Sequence, residues 1–171
     1  QSNGGLPSEA KVCFANTGKE DEATLRFVQR CSDEWKVPIT WLEYDATLTR
    51  KYKVVDFGTA ARNGEPFESI IEKRGWVLPN GRSAYCSSEL KTRTMHRHLH
   101  WLGWEGWDSF LGIRADEPIR AAKFRANPHP ESPDEEICMP LVTAVVSRYD
   151  VTAFWAAQSF DLALKNHKGV T

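Results

Sequence analysis

A chain of 171 residues with 41% hydrophobic and 26% charged side chains has the make-up of an ordinary globular domain, long enough to bury a core, which excludes a disordered or low-complexity protein. The formal net charge of -1 argues against a broad nucleic-acid-coating surface, although a local basic pocket would vanish in the sum. The longest apolar runs are far too short to span a bilayer, so no membrane partner is expected.

In chain order, residues 11 to 15 read as a buried strand that breaks at Asn16-Thr17-Gly18. Ala23, Phe27, Val28, Cys31 and Trp35 then form a helical stripe over Asp21 to Trp35, with acidic residues in its first turn. Pro38 ends that helix, and Ile39 to Tyr44 makes a second strand, which completes a βαβ unit and predicts a parallel sheet. Tyr52 to Phe57 reads as a third, shorter strand or as an extended lead into the next helix. That helix covers Glu65 to Arg74, after the Asn63-Gly64 turn and with Pro66 in its first turn. A loop rich in turn formers precedes a strong helix from Ser88 to Leu102, capped by Ser87 or Ser88. Trp107 to Ile113 reads as another buried strand, ending in the charged run Arg114-Ala115-Asp116-Glu117. Residues 126 to 136 read as a proline-rich acidic loop, the most mobile stretch expected, and Asp150 as the cap of a last helix, Val151 to Ala157.

The fold class expected is therefore α/β: a three-layer, mostly parallel twisted sheet flanked by helices, in a single domain over residues 1–171. In such sheets ligands bind outside the carboxyl ends of the strands, so Thr17-Gly18 and the Arg114 cluster are expected to line one crevice. A bland reading stands beside each. Asn16 to Gly18 also suits a plain turn into a helix with Asp21 as its cap, and the arginine cluster also suits a solvated salt-bridge patch at a helix start.

The stretches NTGKEDEATLRF, CSSELKTRTMHRHL, GIRADEPIR and FDLALKNHKG, in this order, resemble the phosphoadenosine phosphosulfate (PAPS) reductase-like family, in its phage and bacterial branch. That family belongs to the adenine-nucleotide alpha-hydrolase, or N-type ATP pyrophosphatase, superfamily. The resemblance covers nearly the whole chain. It implies that Thr17, Gly18, Glu22 and Thr24 lie beside the nucleotide phosphates or phosphosulfate, and that Gly112, Arg114, Glu117 and Arg120 match a Gly-x-Arg-x-x-Glu-x-x-Arg element. Arginine suits phosphate and sulfate because its planar fork makes two parallel bonds to an oxyanion. Lys91 is the counterpart of a helix lysine that swings toward phosphates, and Cys86 is the candidate thiol, placed just before that helix. For Cys86 a buried structural thiol is the alternative.

The resemblance implies adenylyl sulfate, PAPS or ATP as substrate and a cytoplasmic enzyme. In the reductase chemistry a thiolate attacks the sulfur of a nucleotide sulfate, and a thioredoxin-like partner reduces the product. The alternative is an ATP pyrophosphatase that adenylates a substrate for sulfur transfer, with nucleic acid as a partner and an iron–sulfur cluster in which Cys86 joins cysteines outside this chain. A third reading is a non-catalytic nucleotide-binding module. The sequence departs from the family in three ways. Ala84 and Tyr85 stand where it usually has arginine before the cysteine, with Arg82 as the nearest substitute. The SGGxxS-type phosphate loop is missing, since Asn3-Gly4-Gly5 lacks the serines and has no strand before it. No cysteine pair follows Lys165-Asn166-His167. The chain therefore reads as truncated at both ends, without its first strand and phosphate loop.

Cys13, Cys31, Cys86 and Cys138 form no CxxC pair, which excludes a zinc knuckle and suggests reduced thiols. His96 and His100 share a helical face, but no carboxylate or cysteine accompanies them, so a solvated or interfacial face is preferred to zinc and no metal is assigned. The tryptophans of residues 101 to 107 are read as core rather than as base-stacking platforms, and Phe154, Trp155 and Phe160 as a core clamp.

Overall fold

The computed structural model describes residues 6–80, 85–127 and 132–162, and at Cys86 the backbone alone. Asn3 to Gly5, Arg82, Ala84, much of the proline-rich loop and the stretch from residue 163 onward lie outside the described residues. The chain is α/β and divides into two compact units, one running to Leu102 and taking in Leu162, the other Gly103–Asp161.

The expected βαβ unit is the heart of the first. β1 (Val12–Asn16) leads into α1 (Glu22–Trp35) and the chain returns as β2 (Ile39–Tyr44), parallel to β1. Phe14 then faces Trp41, and Asn16 faces Glu43. The Asp21 carboxylate caps α1 by accepting the Ala23 N–H at 2.8 Å. The helix stops where Lys36 turns left-handed (φ 53°), just ahead of Pro38. The segment read as strand or extended lead is a strand, β3 (Tyr52–Val55), antiparallel to β2 with Tyr52 opposite Tyr44. This sheet, in the order β1-β2-β3, is thus mixed, because residues 45–51 turn too tightly for a crossover helix. Asp45 fastens that turn, accepting the Thr47 N–H and hydroxyl at 2.9 and 2.6 Å.

Strand alternation sorts β2 onto two cores. Trp41 packs with Leu25 and Val28 of α1 and with Phe14 and Phe57. Tyr44, of opposite parity, packs on the other face with Ile70 and Phe67 of α2 (Glu65–Lys73) and with Tyr85 and Leu90. Leu25, Leu42, Ile70 and Leu90 are all but sealed from water, and each contributes about 1.5–3 kcal/mol by burial.

The helix expected from Ser88 to Leu102 is a composite run. It begins as a single turn, α3 (Tyr85–Ser87), becomes π-wound over Ser88–Thr92, and continues as α4 (Arg93–Trp101). The Thr94 hydroxyl donates to the Glu89 carbonyl at 2.9 Å, satisfying a backbone oxygen in the widened turn.

In the second unit, β4 (Trp107–Phe110) pairs in parallel with β5 (Glu135–Cys138), connected through α5 (Pro118–Ala126). β4 is shorter than the Trp107 to Ile113 strand expected, although the Leu111 N–H still reaches the Cys138 carbonyl at 2.8 Å. After a short helix, α6 (Pro140–Thr143), the chain enters α7 (Arg148–Ala156). Its cap is Ser147 rather than Asp150. Asp150 is the third residue of a capping box, returning its carboxylate to the Ser147 N–H at 2.8 Å.

Candidate functional site

The carboxyl end of β1 is held by a buried polar network. The Asn16 amide donates to Glu43 Oε1 and to the Ala61 carbonyl, both at 2.8 Å, and the Ala61 N–H donates to the same Glu43 oxygen at 2.6 Å. Lys53 stands 3.2 Å from Glu43 Oε2. Glu43 and Asn16 are both fully buried. A carboxylate in such a place is tolerable only when paired and hydrogen-bonded, as it is here.

Gly18 follows at φ +75°, where an added Cβ would meet Pro66 Cδ at 2.9 Å and Gly64 Cα at 3.0 Å. Glycine is therefore required by backbone sign and by the close approach of the turn before α2. The Gly18 N–H, expected to face an anion, donates to Asn16 Oδ1 at 3.1 Å. The Thr17 hydroxyl donates to Glu20 Oε1 at 3.2 Å, and Lys91 reaches that same oxygen at 3.1 Å. Two expected site residues, far apart in sequence, thus converge on one carboxylate. The other two turn away: Glu22 pairs with Arg26 and Arg62 at 3.1 and 2.9 Å, and Thr24 is a half-buried residue of the first helical turn whose N–H bonds the Asp21 carbonyl.

On the other side of the π-wound segment, Glu89 gathers a second cluster that the sequence reading missed. It is buried, and its oxygens lie 2.8 Å from Arg93 Nη1, 2.9 Å from Arg97 Nη2 and 3.8 Å from Arg74 Nη2. Burial pushes the Glu89 carboxyl up, but the Arg97 and Arg93 bonds and charges outweigh it and hold it below the usual range. The spacing of Glu89, Arg93 and Arg97, four apart and on one helical face, is the signal that could have revealed the cluster.

The remaining expected residues belong to the second unit. Arg114 Nε lies 2.8 Å from Asp116 and its Nη1 3.5 Å from Glu117, while Arg120 lies 2.5 Å from the other Glu117 oxygen. Glu117 holds both guanidiniums. The Arg114 N–H, then the Arg120 fork, keeps its carboxyl below the usual range. Asp116 is lowered first by the Arg148 N–H, then by Arg114. Gly112 has open space where a side chain would stand.

The side chain of Cys86, the candidate thiol, lies outside the described residues. Cys13, Cys31 and Cys138 are free thiols, each pushed up chiefly by burial and so poor nucleophiles at neutral pH. Among the described residues no group of three or more His, Cys, Asp or Glu could hold a metal ion. His96 and His98 are buried, and His98 Nδ1 lies 3.2 Å from the Tyr52 hydroxyl. Trp107 is core, as expected; of the expected Phe154, Trp155 and Phe160 clamp only Phe160 is buried, Trp155 standing edge-on to both rings while Phe154 is exposed. Trp101 is not core: it is 66% exposed, with Arg50 5.6 Å from its ring. It is the last residue of α4, whose buried positions in that turn are taken by His98 and Leu99. No helix among the described residues is long and apolar enough to cross a membrane.

Among curated proteins, the chain is similar to an uncharacterized nin region protein, ORF290, of Escherichia phage lambda. The two are 28% identical over 164 residues, which cover 91% of this chain and 52% of the phage protein. The chain thus spans about half the length of the curated relative it matches. No protein-family model matches the chain, and no solved structure matches it.

Proposed function

We propose that the chain is a nucleotide-binding enzyme domain of the PAPS reductase-like, adenine-nucleotide alpha-hydrolase type, acting on a nucleotide sulfate. The observation that carries this reading is the convergence of Thr17 and Lys91 on Glu20 at the carboxyl end of β1, beside a parallel partner strand. A hydroxyl and an ammonium directed at one carboxylate oxygen form a site for a negatively charged oxygen, and Glu20 stands where a phosphate or sulfate oxygen would bind. In the reaction, a thiolate bonds to the sulfur, the S–O bond to phosphate breaks and the nucleotide leaves. A reduced dithiol such as that of thioredoxin then releases sulfite and becomes a disulfide. The protein's part is to neutralise the leaving phosphate and orient that bond.

Calorimetry with PAPS and with ATP tests the binding. Lys91→Ala should weaken the nucleotide about tenfold, the scale of one charge-assisted hydrogen bond, and Glu20→Gln should tighten it by releasing Lys91. Unchanged affinity in both variants would sink the reading. Sulfite release from PAPS with thioredoxin is the activity expected. Pyrophosphate release from ATP instead would reassign the domain to adenylation chemistry.

A further inference from the structure

We propose that the first unit also carries a site for a phosphate-type oxyanion beside Arg97 and Tyr44, independent of the Thr17–Glu20–Lys91 cluster. Tyr44 is 1% exposed, yet its hydroxyl has no hydrogen-bond partner among the described residues. The same holds for the buried Arg97 Nη1, whose guanidinium carbon lies 5.8 Å from the Tyr44 ring centre. Two buried donors without acceptors are uncommon in a native fold, because each loses its water and gains nothing in return.

The surroundings say which chemistry would satisfy them. Lys73 Nζ is also 5.8 Å from the Tyr44 ring, and Arg74 lies 4.2 Å from the ring of Tyr85 in the same core cluster. Glu89 spends Oε2 on Arg97 Nη2 and shares Oε1 between Arg93 and Arg74. One carboxylate therefore serves three guanidiniums, and Arg97 keeps one side of its fork unspent. The ligand that answers this is anionic, accepts in several directions and fits an arginine fork: a phosphate or sulfate group rather than a metal, a base or an apolar body. Arg74 and Arg93 are 41% and 48% exposed, so an ion reaches the cluster from their side.

The test is binding of inorganic phosphate to the whole chain, against chloride at matched ionic strength, by calorimetry and thermal melting. Tyr44→Phe removes only the unpartnered hydroxyl and keeps the ring and its packing, so the variant folds. Phosphate should raise the melting temperature of the wild type and bind Tyr44→Phe and Arg97→Gln about tenfold more weakly. In the Lys91→Ala background, Tyr44→Phe should cause the same loss as in the wild type. ATP as a second titrant separates the sources: a parallel loss of ATP affinity in Tyr44→Phe assigns the site to a nucleotide's phosphate, and loss of inorganic phosphate alone assigns it to the free ion. Absent binding in the wild type, equal phosphate affinity in Tyr44→Phe, or a loss confined to Lys91→Ala overturns the site without touching the nucleotide reading.

Discussion

Both units gather carboxylates around cations, and the two do so in opposite ways. In the first, Glu43 sits sealed in the middle strand and collects partners from β1, β3 and the loop before α2. In the second, Arg114, Asp116, Glu117 and Arg120 pair within one short stretch, tied to the start of α7 by the Arg148 N–H on Asp116. The first arrangement exists only when three strands are in register. The ion pairs of the second form wherever that stretch turns into α5. A buried, non-local network therefore reports on the fold, while mostly local ion pairs report on little beyond their own turn.

Substitutions can break that contrast. Glu43→Ala should cost about 3–5 kcal/mol, because it strands the Asn16 amide, the Ala61 N–H and Lys53 together. The urea midpoint measures it, and a loss below about 1 kcal/mol would show that the network is replaceable. Glu117→Gln should leave the same curve in place. Between these extremes lies the Ser147 cap of α7, whose change to alanine should cost about 1 kcal/mol, read as faster hydrogen exchange over Val151–Ala156.

Acid sharpens the comparison with a smaller effect. Burial, then the charges of Arg50 and Lys11, holds the His98 ring below the usual imidazole range. Above pH of about 6.5 the ring is neutral in the native and unfolded chains alike, and its contribution is complete. As the pH falls, the unfolded chain takes up the proton first. Stability then declines until the native pKa is passed and no further. Melting of the first unit should therefore fall on mild acidification, and His98→Gln should flatten that fall. An unaltered pH profile in the variant would assign the acid response to other groups.

The βαβ unit could be read from the sequence because its strands are apolar, its helix is striped and its breakers stand where the chain turns. β5 could not: Glu135-Glu136-Ile137-Cys138 has neither alternation nor a β-branched run, and it is made a strand by pairing with β4. Of the site, Thr17 and Lys91 were legible through the resemblance, while Glu20 was hidden inside an acidic run that reads as ordinary helix-dipole chemistry. Glu43 offered a signal, a lone carboxylate in the apolar run ITWLEY, which marks either a solvated strand face or a sealed partner. Asp150 was mistaken for the cap because both members of a capping box are good cap residues, and only backbone geometry tells them apart.

The π-wound segment has a consequence for how this chain can change. It holds one residue more than an α-helix of equal rise would use, and both Lys91 and Glu89, which face separate clusters, lie within it. Removing one residue between Ser88 and Thr92 would leave the number an α-helix uses, so the turns on either side would keep their phase. A single-codon deletion there would leave Tyr85 on Ile70 and His98 on Tyr52 while re-aiming the side chains inside the segment, Glu89 and Lys91 among them. The extra residue therefore serves the two charged clusters rather than the packing of the turns that flank it.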